Sequence, residues 1–223
     1  MKKFVFISDF DGTLTDRDFY KIVMDKFPEN KGRDVYLRWI SGEIGVFDFL
    51  YTVFSSVNRS EEELLRAILE IPFDKYAKGF IESIKQSGGD FIILSAGTGY
   101  YIEKLFEYHG IKDVFIISNK GIYRDGGIYI TADTESPYYS SKYGIDKSLA
   151  VEHYRKEYGK VYYAGDSEPD LKASLKADTV FARTELQELL KSLKHEFVAV
   201  DNFNQIGNYL NEKGVIRYEN NIA

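Results

Sequence analysis

Six short runs of continuously apolar, β-forming residues recur along this chain, at 4–8, 91–95, 114–118, 161–164, 179–182 and 197–200, with helical patterns between them. A strand with one wet face alternates apolar and polar residues, whereas a strand covered on both faces does not. These runs do not alternate, so they read as parallel strands with helices packed on both sides. Strands and helices in alternation predict an α/β fold with a doubly wound, Rossmann-like parallel sheet. The helix signals fall where that architecture needs them. Ser60-Glu61-Glu62-Glu63 is a capping box ahead of Leu64, Leu65, Ile68 and Leu69. A second helix runs from about Tyr100 through Ile102, Leu105 and Phe106 to a stop at Gly110. Thr184, followed by Leu186, Leu189 and Leu190, opens a third directly after the 179–182 run, and residues 147–158 form another helical segment.

Two segments break the rhythm. The larger spans residues 16–73, with Trp39, Phe47, Phe49, Leu50 and Phe54 at roughly helical spacing, and reads as an inserted helical cap. The expected organisation is therefore a core of residues 1–15 and 74–223 with a cap of residues 16–73. The smaller segment, 121–130, has β-formers on either side of Asp125-Gly126-Gly127 and reads as a small β-hairpin, followed by a loop at 138–143.

The formal net charge of −6 argues against a nucleic-acid partner, because backbone binding normally shows as an excess of Lys and Arg. It does not exclude a small anion, which local positive charge, amide dipoles and a metal can hold. The absence of cysteine excludes disulfides, thiolate nucleophiles and cysteine-ligated metals. His109, His153 and His195 show no metal-ligand spacing and are expected at the surface or at helix ends. The apolar start of the chain is cut short by Ser8, Asp9 and Asp11, too early for a signal peptide, and no stretch is long enough to span a membrane. A cytoplasmic location is expected, and the oligomeric state is left open.

Asp9-Phe10-Asp11-Gly12-Thr13 follows the first apolar run directly. In an open α/β sheet, ligands bind beyond the carboxyl ends of the strands, which is where these two acids emerge. Two carboxylates two residues apart, with Gly12 permitting a tight departure, can converge on one small volume as nucleophile and proton carrier. The bland alternative is a solvated acidic turn capping the strand.

The Asp9–Thr13 motif resembles that of the haloacid dehalogenase superfamily, and the superfamily's other three motifs have candidates in the required order. Motif two would be Ser95, whose hydroxyl, with the backbone N–H groups around Ala96 and Gly97, would bind phosphate at a helix start; a simple helix N-cap is the competing reading. Gly97-Thr98-Gly99 also invites a dinucleotide reading, but Ile102 stands where the third glycine belongs. Motif three would be Lys147, with Lys142 the competing choice. Motif four would be Tyr163-Ala164-Gly165-Asp166-Ser167-Glu168-Pro169-Asp170, at the end of the 161–164 run; a strand-end turn with an N-capping Asp is the competing reading. The resemblance covers residues 4 to about 183 and implies a Mg²⁺ site of the Asp9 side chain, the Asp11 carbonyl and the Asp166 side chain, with Asp170 in support. It implies catalysis by Asp9 as nucleophile, Asp11 as general acid and base and Lys147, and phosphate or substrate contacts from Thr13, Asp18, Ser95, Ala96 and Gly97. The reaction implied is hydrolysis of a small-molecule phosphate monoester through an aspartyl-phosphate. An acid at position 11 favours phosphoryl transfer over dehalogenation.

A cap inserted between motifs one and two is similar to that of the phosphoserine-phosphatase-like branch. Asp18 lies where phosphoserine phosphatases carry a Glu that meets the amino group, but the run 47–54 lacks the Arg that would pair with the carboxylate. The cap length, Gly165-Asp166-Ser167 and the stretch 177–183 look closer to the 2-hydroxy-3-keto-5-methylthiopentenyl-1-phosphate phosphatases. Where that family carries a cysteine cluster, this chain has Ser140, Ser141, Tyr143 and Gly144. A phosphomutase and a catalytically idle binding protein with the same fold are the rival expectations.

Overall fold

β1 (Val5–Ser8), with all four residues buried, lies at the centre of a seven-stranded sheet in the computed structural model, which describes residues 3–219. On one side of it follow β2 (Asp90–Thr98), β3 (Phe115–Arg124) and β4 (Gly127–Thr131); on the other, β7 (Val161–Gly165), β8 (Thr179–Ala182) and β9 (Val198–Ala199). All pairings are parallel except that of β4, which returns antiparallel on β3 as the outer arm of the hairpin. Counting the six parallel strands in chain order, the sheet reads 3-2-1-4-5-6, so the order reverses between β1 and β7. β5 (Tyr139–Ser140), inside the segment 138–143 expected to be a loop, pairs with β6 (Gly144–Ile145) just after it as a separate two-stranded ribbon.

The absence of alternation in β1 has the cause inferred from the sequence: both faces are covered. Phe6 points to one side and meets Phe80 at 4.9 Å, Phe91 at 5.6 Å, Phe181 at 5.8 Å and Phe203 at 6.3 Å. Phe80 and Phe203 come from α5 (Ala77–Gln86) and α10 (Phe203–Glu212). Val5 and Ile7 point to the other side, against Val151 and Tyr154 of α7 (Lys147–Glu157) and Ala173 of α8 (Glu168–Ser174). Truncating a ring packed as Phe6 is costs about 3–5 kcal/mol. α6 (Gly99–Tyr108) and α9 (Thr184–Ser192) complete the layers.

Between β1 and α5 lie four helices, α1 (Phe19–Lys26), α2 (Gly32–Ile40), α3 (Val46–Ser55) and α4 (Glu61–Leu69). The chain leaves for them and returns through one narrow joint. Thr15 bridges Phe73, the Asp16 N–H donates to the Pro72 carbonyl at 2.9 Å, and the Asp74 N–H donates to the Leu14 carbonyl at 3.0 Å. Ser60 caps α4 in a capping box with Glu63, as the sequence predicts. Of the aromatic residues singled out in the insertion, Phe49 and Phe54 are buried, and Trp39 stacks on Phe49 at 4.3 Å.

One expectation needs correcting in the neighbourhood of the hairpin. The strand at 114–118 and the first arm of the hairpin are one ten-residue strand, β3, because Gly121 is not a turn residue: a Cβ there would overlap the Thr98 side chain, so glycine serves a close approach of strands. The turn is at Asp125 (φ 46°) and Gly126 (φ 81°), two left-handed residues as a tight hairpin requires. The hairpin also bonds to the insertion, since Gly126 accepts from the Arg59 N–H at 2.9 Å and the Tyr123 hydroxyl donates to the Arg59 carbonyl at 3.0 Å.

Candidate active site

The reversal of strand order opens a crevice at the carboxyl ends of β1 and β7, and each strand delivers an acid to it. Asp9 follows β1, with its N–H donated to the Ala164 carbonyl at 2.9 Å. Beyond it the chain coils for one turn: the Leu14 N–H reaches back to the Phe10 carbonyl at 2.9 Å, which drives Phe10 and Leu14 into the core and leaves the acids at the rim. Gly12 sits at φ 81°, and a Cβ there would collide with the Asp166 carboxylate. Backbone conformation and space both demand glycine at this position.

Asp166 follows β7 and stands beside Asp9. The Thr13 hydroxyl lies 3.4 Å from Asp9 Oδ2 and 3.4 Å from Asp166 Oδ1, a long contact to two carboxylates at once. Lys147, at the first position of α7 and 4% exposed, places Nζ 2.5 Å from Asp9 Oδ1 and 2.6 Å from Asp170 Oδ1. Lys142, the competing lysine, is at the rim, 3.5 Å from Glu168 and bonded to the Tyr143 hydroxyl. Asp170 is fully buried and saturated: Oδ1 accepts from Lys147 and, at 2.7 Å, from the Tyr163 hydroxyl, while Oδ2 accepts the N–H groups of Asp166 at 2.9 Å and Ser167 at 3.3 Å. It fixes the loop that carries Asp166 and the ammonium that faces Asp9.

Burial and the crowding of charge perturb Asp9, Asp166 and Lys147. Burial pushes Asp166 up to about 7, and Asp170 adds to it against the pull of Lys147. Burial likewise holds Asp9 well above the ordinary carboxyl range, opposed by Lys147. Burial alone would lower the Lys147 ammonium, but Asp170 and Asp9 overcome it and hold it above its usual value. The carboxylates of Asp9, Asp166 and Asp170 offer oxygen atoms all within 4.8 Å of one another. An all-oxygen donor set, with two acids sharing one distant hydroxyl, suits a hard cation.

Asp11 emerges on the side toward the insertion. Its Oδ1 accepts the Phe19 N–H at 2.9 Å and its Oδ2 accepts the Tyr101 hydroxyl. Burial, then the neighbouring Asp18, raises it to about 6, with the Tyr101 and Phe19 hydrogen bonds acting in the opposite sense. Asp18 precedes α1 and pairs with Lys21 at 3.2 Å.

Ser95, Ala96 and Gly97 close the floor from the β2 side. Here the expected helix start gives way to strand: β2 continues through Thr98, with a register shift after Leu94, and α6 begins at Gly99 under a Thr98 cap. The Ser95 Oγ, buried at 1% exposure, turns inward to accept the Gly97 N–H at 3.0 Å, and Asn119 donates to the Ala96 carbonyl at 2.8 Å. Above this floor is a cavity of about 920 Å³, roofed by Trp39, Ile44, Leu50 and Phe54. Sequence reasoning missed Tyr101 and Asn119 and gave Tyr163, the first residue of motif four, no role. A tyrosine on a helix or in a strand carries no signal that separates packing from chemistry, and the polar Asn119 directly after the 114–118 run was the one available hint.

The family model described as haloacid dehalogenase-like hydrolase matches residues 6–174. Pdp3-interacting factor 1 of Schizosaccharomyces pombe is 28% identical over 214 residues, covering 91% of this chain and 91% of that protein. The 2-hydroxy-3-keto-5-methylthiopentenyl-1-phosphate phosphatase of Microcystis aeruginosa is 26% identical over 218 residues, covering 94% of this chain and 98% of its own. Among solved structures, a phospho-aspartyl intermediate analogue of phosphoserine phosphatase superposes with a TM-score of 0.68 at 20% identity, over 94% of this chain and 99% of that one. Among the described residues no helix is long and apolar enough to cross a membrane. With the family model spanning both acid-bearing strand ends, the chain belongs to the haloacid dehalogenase-like hydrolases.

Proposed function

We propose that this hydrolase is a Mg²⁺-dependent phosphatase that cleaves a small-molecule phosphate monoester through an aspartyl-phosphate on Asp9, with residues 16–73 as its cap. The observation that carries the reading is the Asp9 carboxylate, buried at the strand end, 2.5 Å from Lys147 and beside Asp166 beneath a cavity. Asp9 attacks phosphorus in line, the bond to the leaving oxygen breaks, and that oxygen takes a proton from Asp11. Water then attacks the phosphorus of the aspartyl-phosphate, gives its proton to Asp11 and releases phosphate and Asp9. Lys147 holds Asp9 and compensates charge as it develops on the phosphoryl oxygens, while Ser95 and the N–H groups of Ala96 and Gly97 receive those oxygens. Asp9, Asp166 and the Asp11 carbonyl would hold the magnesium ion, with Thr13 between the two carboxylates and Asp170 steadying them from behind. Bound there, the ion offsets phosphoryl charge and orients the substrate.

The test is release of inorganic phosphate from a panel of phosphate esters with Mg²⁺ against an EDTA control. Activity is expected with Mg²⁺, to be lost in EDTA, and to be abolished by Asp9→Asn. Full turnover by Asp9→Asn, or no release from any ester including aryl phosphates, would overturn the assignment.

A further inference from the structure

We propose that Tyr101 is a positioning residue that aims the proton of Asp11, through a hydroxyl that donates to the Asp11 carboxyl group; the inference rests on the assignment of Asp11 as general acid.

Tyr101 sits in the first turn of α6, 1% exposed, with its ring packed against Phe19 at 4.8 Å, Phe10 at 5.8 Å and Phe54 at 6.1 Å. Phenylalanine would fill that place equally well, so it is the hydroxyl that calls for an explanation. A buried tyrosine hydroxyl needs a partner, and a backbone carbonyl usually suffices. This one instead donates to Asp11 Oδ2 and lies beside the Ser95 side chain, both oxygens facing the place a Cβ of residue 97 would take. Its place is kept open by Gly97, where a Cβ would overlap the Tyr101 oxygen. Asp11 is thus held by both oxygens, with the Phe19 N–H at 2.9 Å on Oδ1 and Tyr101 on Oδ2. Two donors fix the plane of the carboxyl group, and a proton leaving it can travel in few directions.

In the reaction proposed above Ser95 receives a phosphoryl oxygen and Asp11 protonates the leaving oxygen, so the Tyr101 hydroxyl lies between the groups assigned to the two ends of the breaking bond. When that bond breaks, its electron pair goes to the leaving oxygen, the proton of Asp11 follows, and Asp11 remains as a carboxylate. Tyr101 keeps its own proton throughout and donates to that carboxylate until water restores the acid.

Proton donation matters for a basic alkoxide and hardly at all for p-nitrophenolate, which departs unprotonated. In Tyr101→Phe the kcat/KM for an alkyl phosphate, which reports the step in which the leaving oxygen departs and not the later attack of water, is therefore expected to fall by about tenfold or more, part of the roughly 10²–10⁴-fold that a general acid contributes, while the kcat/KM for p-nitrophenyl phosphate falls by less than about threefold. Asp11→Asn should show the same split in kcat/KM more steeply. Equal losses on the two esters in Tyr101→Phe, or no loss, would overturn the role of Tyr101 while Asp11→Asn keeps its split. An Asp11→Asn variant without the split would remove the general acid, and this inference with it.

Discussion

At the level of single residues, the crevice holds more negative charge than its own lysine can balance. Asp9, Asp166 and Asp170 carry three negative charges when ionised and Lys147 one positive, which leaves two in a buried volume. Burying unbalanced charge is expensive, and the excess matches a divalent cation. Asp166 expresses this in its proton affinity, raised from 3.8 to about 7. Below the lower value the carboxyl is protonated in folded and unfolded chains alike. Between the two values the unfolded chain has lost a proton that the folded chain retains, so stability falls as pH rises, then levels off above about 7. In EDTA, Asp166→Asn is therefore expected to melt higher than the wild type by a margin that grows from pH 4 to pH 7 and then stays constant. Added Mg²⁺ should raise the wild-type Tm and leave the variant nearly unmoved. Thermal melts across pH, with and without metal, check both; a margin that shrinks with rising pH would contradict the assignment. The acids at the strand ends were legible in the sequence because a motif directly after an apolar run has few places to go in a parallel sheet. Tyr101 was not, since its helical spacing is that of any core aromatic.

At the level of elements, the four-helix insertion is attached to the sheet by more than its joint at Thr15 and Phe73. The hairpin bonds to the loop after α3 through Gly126 and Tyr123, and the Phe47 N–H donates to the Lys142 carbonyl at 3.1 Å. Gly127 is the tightest of these contacts: a Cβ there would lie 2.5 Å from the Ser55 carbonyl oxygen. Gly127→Ala must push β4 and α3 apart, at about 1–3 kcal/mol for an overpacked site. The Tm should fall by about 2–4 °C per kcal/mol in a chain of this length. Hydrogen exchange should speed up at the Arg59 amide and stay unchanged in β1 and β7; faster exchange throughout the sheet would show that the hairpin is not a local fastening. The parallel sheet, the α-helical insertion and the hairpin turn could all be read from periodicity and turn residues. The fusion of the third apolar run with the first arm of the hairpin into β3 and the extension of β2 through Thr98 could not. Both depend on which strand lies alongside, Gly121 being small for the sake of Thr98, and spacing along one segment does not record its neighbours.

At the scale of the whole molecule, the acidic net charge is repeated inside the cavity, where acidic side chains outnumber basic ones. Each of its four basic residues already has an acid: Lys21 with Asp18 at 3.2 Å, Lys142 with Glu168 at 3.5 Å, Lys147 with Asp9 and Asp170, and Arg183 with Asp16 at 2.8 Å. The roof of Trp39, Ile44, Leu50 and Phe54 adds apolar surface and no charge. A substrate whose organic part is neutral suits this better than one bearing a carboxylate or a second phosphate. Phosphoserine and bisphosphates are expected to show kcat/KM at least about tenfold below uncharged alcohol or aryl phosphates of similar size, equivalent to about 1.4 kcal/mol. Steady-state rates on matched pairs measure this, and a preference for the doubly charged esters would contradict it. The hydrogen bond from the Phe19 amide to Asp11 has a mechanical consequence at this scale, because Phe19 opens α1 while Asp11 belongs to the end of β1. Any swing of α1 away from the sheet withdraws that amide from the carboxyl group. The two motions form an interlock: with the door ajar the acid loses one of its two guides, and bulk water that enters meets a misaligned trigger.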